Sequence, residues 1–281
     1  MRNETEILDL ILGIAKEDDR IRAVLMSGSR ANPDCPKDAF QDYDIIYYVT
    51  DVAPFYNNTD WITAQFGRPA IMQMPEAMTL IPPDGDDSFV YLMIFEDGNR
   101  IDLCITKDLT NHIADGEPAV VLLDKDGFLP DIRIKPDFWY IKKPTQQLFS
   151  DCCNEFWWCL NNVGKGIARD ELPYAMGMFH DPVRDMLNRM LEWHIGTTHD
   201  FQVSAGKMGK YFKKYLSKEF YRMYAATYCG SDYREFWSAV FTACELFREA
   251  ALDVAKALGF TYNHDEDRAM MTYLTGLKER P

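Results

Sequence analysis

Two short motifs at strand ends constrain the fold of this chain more than any other feature. A Gly-Ser pair, Gly28 and Ser29, directly follows an apolar run typical of a strand, and an Asp-x-Asp pattern opens the next such run. The two aspartates are Asp42 and Asp44. Because side chains alternate along a strand, both aspartates are expected on one face of the strand and Tyr43 on the other.

The paired aspartates predict a site for a divalent cation. Neighbouring carboxylates repel each other, a cation between them removes that cost, and hard oxygen ligands suit Mg²⁺. A third acid, Asp102, lies in another strand-like run, residues 99–105. We therefore predict that Asp42, Asp44 and Asp102 are metal-binding and catalytic residues, with Mg²⁺ as the cofactor. Asp102 could either complete the metal site or act as a general base that accepts a proton, and the sequence leaves both roles open.

The order of these motifs resembles the nucleotidyltransferase superfamily. The resemblance implies transfer of a nucleoside monophosphate from a triphosphate, with the phosphates held in line with an attacking hydroxyl. In that chemistry Gly28 would let the backbone approach phosphate oxygens, and Ser29 would add a hydroxyl donor. Arg30 could reach the same phosphates. Lys165 would contact the triphosphate or, with Arg169 one helical turn further on, form a solvated basic pair.

Composition narrows the class of protein. The chain has 281 residues, 47% of them apolar, which suffices for one large domain or two ordinary ones. Its net charge of −14 argues against a nucleic-acid partner and favours a cationic substrate, although acidity also serves solubility alone. The sequence contains no long apolar run, so we expect no membrane segment and a cytoplasmic location. The seven cysteines lack Cys-x-x-Cys spacing and are expected as reduced thiols.

The apolar pattern changes near residue 135 and divides the chain into two predicted domains, giving an α+β fold class. Residues 1–135 are predicted to form a nucleotidyltransferase-type mixed sheet, with strands at 21–27, 42–50, 70–74, 88–96, 99–105 and 119–124. Flanking helices are predicted at 4–18, 55–66 and 107–114. Residues 136–281 are predicted to form a helical bundle that binds substrate and nucleotide, with helices at 145–168, 171–195, 206–217, 218–228 and 231–258. Pro182 is expected to divide the second of these helices.

Longer blocks of sequence resemble the aminoglycoside 6-adenylyltransferases, the streptomycin-modifying branch of that superfamily. The most specific are residues 40–45 (Phe-Gln-Asp-Tyr-Asp-Ile) and residues 151–157 (Asp-Cys-Cys-Asn-Glu-Phe-Trp). Shorter blocks follow in the family's order across nearly the whole chain, at 20–22, 28–30, 49–52, 95–99, 101–103, 122–126, 165–169 and 193–194. The resemblance implies transfer of AMP from ATP·Mg²⁺ to the 6-hydroxyl of streptomycin's streptidine ring, with release of pyrophosphate.

The same resemblance assigns roles to individual residues. The family's metal-binding acids correspond to Asp42, Asp44 and Asp102, and its phosphate-binding pair corresponds to Gly28 and Ser29. The acceptor would be an aminoglycoside whose guanidinium groups attract carboxylates, in keeping with the acidic composition. Two alternatives stay open: a nucleotidyltransferase acting on another antibiotic or a protein side chain, and a non-catalytic module that binds nucleotide or a partner. The protein is expected to be a monomer or a homodimer.

Overall fold

The computed structural model describes residues 2–80, 87–108, 115–129, 132 and 134–279. The chain forms two compact units, Met1–Phe138 and Trp139–Pro281. The first unit contains a six-stranded sheet, and the second is built from helices. An α+β fold with a mixed sheet followed by a helical region is therefore confirmed.

The first unit is organised around its sheet. The strands are β1 (Ile21–Met26), β2 (Tyr43–Val49), β3 (Pro69–Gln73), β4 (Ser88–Phe95), β5 (Arg100–Thr106) and β6 (Val120–Asp124). Their order across the sheet is β3-β4-β5-β2-β1-β6. Strands β2 and β5 pair in parallel, and the other neighbours are antiparallel. All six predicted strands are confirmed, with ends that differ by about one residue, as is usual for such boundaries.

Among the described residues of this unit, the α-helices are α1 (Glu4–Glu17), α2 (Gly28–Ala31), α3 (Ala53–Tyr56) and α4 (Asp60–Phe66). Helix α1 begins with a capping box, in which the Asn3 and Glu6 side chains each accept the other's backbone N–H. It is fixed to the sheet by the hydroxyl of Tyr47, which donates to the carbonyl of Ile11 at 2.7 Å. The helix predicted at 55–66 is two short helices, and most of the one predicted at 107–114 lies outside the described residues.

The two faces of the sheet differ, and the difference positions the acids. The larger core contains Tyr43 and Ile45 of β2 together with Ile101 and Leu103 of β5. A smaller cluster lies on the opposite face, formed by four buried side chains: Ala23, Leu25, Ile46 and Tyr48. Because strand side chains alternate, Asp44 shares this second face.

The second unit is a set of helices around one core. They are α5 (Gln146–Ala168), α6 (Leu172–Met178), α7 (Arg184–Thr198), α8 (Phe212–Tyr215), α9 (Lys218–Ala226), α10 (Tyr233–Leu258) and α11 (His264–Lys278). At its centre Phe156 of α5 stacks on Phe247 of α10, with ring centroids 3.8 Å apart. Within the described part of the chain, no helix is long and apolar enough to cross a membrane. Helix α11 was not predicted, although Asn263 caps it and three acids fill its first turn.

Pro182 widens the helix in which it lies and does not end it. Residues Phe179–Val183 form one turn of π-helix between α6 and α7. A proline inside an α-helix removes one backbone donor and clashes with the preceding turn. A π turn relieves this by adding a residue to the turn. At Pro182, where we predicted that the helix divides, the helix therefore continues through one wider turn.

An ion pair between the half-buried Arg248 and the buried Asp267 joins α10 to α11, and its removal is a test of stability. Arg248 donates to both carboxylate oxygens of Asp267 at 2.6 and 2.5 Å, and the Tyr262 hydroxyl donates to the same group at 2.9 Å. Asp267 is 4% exposed. Asp267→Ala should lower the free energy of unfolding by about 2–4 kcal/mol, because it leaves the Arg248 charge and the Tyr262 hydroxyl without their partner. The urea midpoint followed by tryptophan fluorescence measures this.

The matched control is Asp265→Ala on the same helix. Asp265 pairs with Arg268, and both side chains are largely exposed, 86% and 71%. An exposed pair of this kind contributes only about 0–1 kcal/mol. Equal losses of unfolding free energy for the two variants would contradict the larger contribution expected of the pair between Arg248 and Asp267.

Candidate active site

Asp44 and Asp102 lie side by side on the two parallel strands. In the register of β2 and β5, Asp44 is the direct partner of Asp102. Their strand neighbours Tyr43 and Ile101 are also partners, and both are buried in the core at 1% and 0% exposure. The two carboxylates therefore project from the opposite face, and the predicted alternation around Tyr43 is confirmed.

Asp42 lies one residue before β2 and is more exposed than Asp102, with 38% of its side chain accessible against 18%. Its Oδ2 lies 3.5 Å from Nη1 of Arg100. Burial raises the pKa of Asp42, Arg100 lowers it, and the charge of Asp102 raises it again. The charge of Asp102 therefore disfavours the ionised form of Asp42.

The carboxyl group of Asp44 has a strongly raised pKa. Burial raises the pKa of Asp44 to about 6, the charges of Asp102 and Asp42 contribute to the rise, and Arg100 opposes it. Desolvation and like charges both disfavour the ionised form. A carboxylate in this position is stabilised by any cation that approaches it, which is the environment expected of a metal ligand or a catalytic acid.

Arg100 is a cation that lies among these acids. Its Nε and Nη2 donate to Oδ1 and Oδ2 of Asp102 at 2.8 and 2.7 Å. Sequence reasoning did not select Arg100, although its position two residues before Asp102 on one strand puts both side chains on the same face. Arg100 is thus a site residue found only from the structure.

The structure brings the acids near one another but does not group them as metal ligands. Among the residues that it describes, three or more His, Cys, Asp or Glu side chains nowhere form a group that could hold a metal ion. Both oxygens of Asp102 are engaged by Arg100 instead. The assignment of Asp42, Asp44 and Asp102 to a metal stays a prediction.

Gly28 lies against the carboxylate of Asp44. Its φ is +67°, in the left-handed region that favours glycine. A Cβ atom at this position would lie 1.9 Å from Oδ2 of Asp44 and 2.7 Å from its Cγ. The preceding turn is tied to the same strand, because the N–H of Ser27 donates to the carbonyl of Asp44 at 2.9 Å. Only a residue without a side chain leaves the Asp44 carboxylate where it is.

Arg30, predicted to reach phosphates, makes a different set of contacts in the structure. Its guanidinium lies over the Tyr43 ring at 3.8 Å and donates to the backbone carbonyls of Asp42 and Gln41 at 3.1 and 2.9 Å. It also pairs with Glu4 at 3.3 Å, and only 10% of its side chain is exposed. Arg30 therefore fixes the segment that carries Asp42, and its contact with phosphate stays a prediction.

The remaining two predicted phosphate ligands lie in different units. Ser29 is in α2, where its carbonyl accepts a hydrogen bond from the Gln41 side chain at 3.0 Å. Lys165 is half-buried in the last turn of α5, between the buried Gly164 and Gly166. A basic side chain there is favourable for the helix dipole whatever else it does. Nucleotide contacts by Ser29 and Lys165 therefore stay predictions.

Comparison with known proteins identifies the family of this chain. A family model described as streptomycin adenylyltransferase matches residues 1–277. A Bacillus subtilis (strain 168) protein named aminoglycoside 6-adenylyltransferase is 40% identical over 283 residues, covering 99% of this chain and 98% of the relative. Proteins of the same name from Campylobacter jejuni and Staphylococcus aureus are 39% and 36% identical, over 93% and 95% of this chain and 91% and 95% of their own lengths.

A solved structure agrees with these relatives. The crystal structure of an aminoglycoside 6-adenyltransferase from Bacillus subtilis covers 100% of both chains, with 37% identity and a TM-score of 0.50. The family match extends over nearly the whole chain, and the three relatives exceed 30% identity over most of their lengths. The chain is therefore a nucleotidyltransferase and belongs to the streptomycin adenylyltransferase family.

Proposed function

We propose that this protein is an aminoglycoside 6-adenylyltransferase that transfers AMP from ATP·Mg²⁺ to the 6-hydroxyl of streptomycin and releases pyrophosphate. The observation that carries the proposal is the pairing of Asp44 with Asp102 on parallel strands, with Gly28 against the Asp44 carboxylate. The names of the relatives support the acceptor class and the position of transfer. The modified antibiotic would no longer act on its target, so the physiological outcome would be resistance.

The donor set suits a hard divalent cation. Three carboxylates that repel one another, one with its pKa raised to about 6, would be stabilised by Mg²⁺, which prefers oxygen ligands. Asp42, Asp44 and Asp102 would hold the ion, and the bound ion would neutralise charge on the phosphates during transfer. Gly28 keeps the Asp44 carboxylate in place.

The phosphates and the acceptor would be held by the remaining predicted residues. Ser29 and Lys165 would donate to the triphosphate, while Arg30 keeps the segment before β2 in position. Streptidine bears two guanidinium groups, and a chain with a net charge of −14 attracts such a cation over a distance. Charge-assisted pairing of guanidinium with carboxylate would then orient the ring.

Pyrophosphate release by the purified protein tests this proposal. We expect release from ATP in the presence of Mg²⁺ and streptomycin, and little release with spectinomycin, kanamycin or lincomycin. Asp42→Asn should reduce the rate at least ~10²-fold, because one electrostatic stabiliser at a reacting centre is typically worth that much. Reactions without acceptor, and reactions with EDTA, are the controls.

Two results would contradict the proposal in different ways. Release with none of the four antibiotics would contradict the aminoglycoside acceptor and point to another acceptor class. If Asp42→Asn leaves streptomycin-dependent release unchanged, the assignment of Asp42 to the site is wrong, while the acceptor class stands.

A further inference from the structure

Arg100 connects two of the three acids at the site. Its guanidinium forms a two-pronged pair with Asp102, at 2.8 and 2.7 Å, and reaches Oδ2 of Asp42 at 3.5 Å. The neighbouring Ile101 is fully buried in the sheet core, which anchors the strand that carries both Arg100 and Asp102. One cation is thus shared between two carboxylates at the edge of the predicted metal site.

The charges around Arg100 are unbalanced. Three carboxylates lie around one guanidinium, since Asp102 and Asp42 contact it and Asp44 is the strand partner of Asp102. Arg100 is 41% exposed, so its side chain has room to leave this pair. Arg100 therefore stabilises the carboxylates that a metal ion would otherwise stabilise.

A metal ion and Arg100 require the same atoms of Asp102. Both of its oxygens accept hydrogen bonds from the guanidinium. Coordination of a cation by Asp102 would remove at least part of that pair, and the two positive charges would repel each other. The guanidinium could then bind a phosphate group, which matches its fork as well as a carboxylate does.

We propose that Arg100 is a positioning residue that competes with the divalent cation for Asp102 and Asp42, so that metal binds weakly until a triphosphate offers Arg100 another anion. This inference rests on the proposed function, because it takes the three acids as metal ligands and a nucleoside triphosphate as substrate. Metal and nucleotide binding are consequently coupled through one side chain. Neither ligand needs to move the backbone for the coupling to operate.

Titration with Mn²⁺ in the absence of nucleotide tests the inference, with unbound Mn²⁺ measured by electron paramagnetic resonance. Arg100→Gln should bind Mn²⁺ about tenfold or more tightly than the wild type, since a cation within ~4–6 Å shifts the proton affinity of a carboxylate by one to three powers of ten. Adding a non-hydrolysable ATP analogue should reduce the difference between the two proteins. Neither measurement requires turnover.

Arg22→Gln is the matched control. Arg22 lies on β1 and pairs with Asp126, two residues after β6, so its replacement changes the net charge equally without touching the three acids. We expect its Mn²⁺ affinity to stay within about twofold of the wild type, because a single exposed charge is largely screened beyond a Debye length. The double variant Arg100→Gln with Asp102→Asn should lose the gain, since the freed carboxylate is absent.

Equal Mn²⁺ affinities for Arg100→Gln and Arg22→Gln would overturn the inference. If Arg100→Gln does not fold, Arg100→Met replaces it, because methionine is an unbranched, uncharged side chain that leaves both oxygens of Asp102 free. It should bind Mn²⁺ more tightly than the wild type, and an affinity equal to the wild type would overturn the inference. The proposed function is tested separately by pyrophosphate release, an assay that needs ATP and an antibiotic acceptor.

Discussion

Asp44→Asn should reduce streptomycin-dependent pyrophosphate release at least ~10²-fold, judged from the loss of one electrostatic stabiliser at a reacting centre. Asparagine has the same shape but carries no charge, so it keeps the packing against Gly28 and removes only the negative ligand. The carboxylate is half-buried and lies opposite Asp102 on the parallel strand. The rate at saturating ATP and streptomycin is the measurement.

The same substitution should stabilise the protein when metal is removed. The pKa of Asp44 is raised to about 6 in the folded protein from an ordinary value of 3.8, chiefly by burial. A carboxyl with a raised pKa destabilises the folded state above that pKa, because the folded protein must hold an ionised group that the unfolded chain ionises more easily. Below pH 3.8 the group is protonated in both states, and the cost vanishes.

Asp44→Asn should therefore have a higher free energy of unfolding than the wild type at pH 7–8 in EDTA, by on the order of 1–2 kcal/mol. The gain should shrink as the pH falls from about 6 towards 4, in urea titrations at several pH values. If Asp44 had only a structural role, the Asp44→Asn protein would lose stability together with activity.

Asp126→Asn is the control for this pair of effects. Asp126 is 45% exposed and pairs with Arg22. Its replacement should leave the rate of pyrophosphate release unchanged and should not raise stability. If Asp44→Asn keeps near-normal turnover, Asp44 is not a ligand or catalyst of the reaction.

Gly28→Ala should also lose activity at least ~10²-fold, because displacing a reacting or metal-binding group by about 1 Å can cost that much. The added methyl would lie 1.9 Å from Oδ2 of Asp44, so the carboxylate has to move. The positive φ of +67° adds about 1–2 kcal/mol of backbone strain. Turnover and the urea midpoint should both fall.

Gly127→Ala separates these two causes. Gly127 has the same φ of +67°, but nothing lies within 4 Å of the position its Cβ would occupy. The variant should lose the same ~1–2 kcal/mol of stability to backbone strain and keep its turnover. Equal turnover for the two alanine variants would show that the contact between Gly28 and Asp44 does not matter for activity.

Local sequence patterns were sufficient to predict the sheet and the common face of the acids. Alternation around Tyr43, with apolar flanks at Ile45 and Ile101, determines which side chains enter the core. The same logic applied to β5 would have selected Arg100, whose side chain shares a face with Asp102. Arg100 was missed because the motif was defined by its aspartates alone, without the cation that pairs with them.

The remaining differences depend on contacts that are distant in the sequence. Arg30 binds carbonyls eleven and twelve residues further along the chain, and nothing in its own motif indicates those partners. Helix α11 is weakly amphipathic and is held by the pair of Arg248 with Asp267. The π turn at Pro182 reflects a helix held from both sides by packing, which a local helix rule cannot anticipate.

Mass spectrometry of streptomycin after incubation with the protein, ATP and Mg²⁺ is the decisive test of the proposed reaction. We expect the wild type to form a product heavier by one AMP unit, which NMR should place at the 6-hydroxyl, and we expect Asp44→Asn to form almost none. Unmodified streptomycin after prolonged incubation with folded wild-type protein would contradict it.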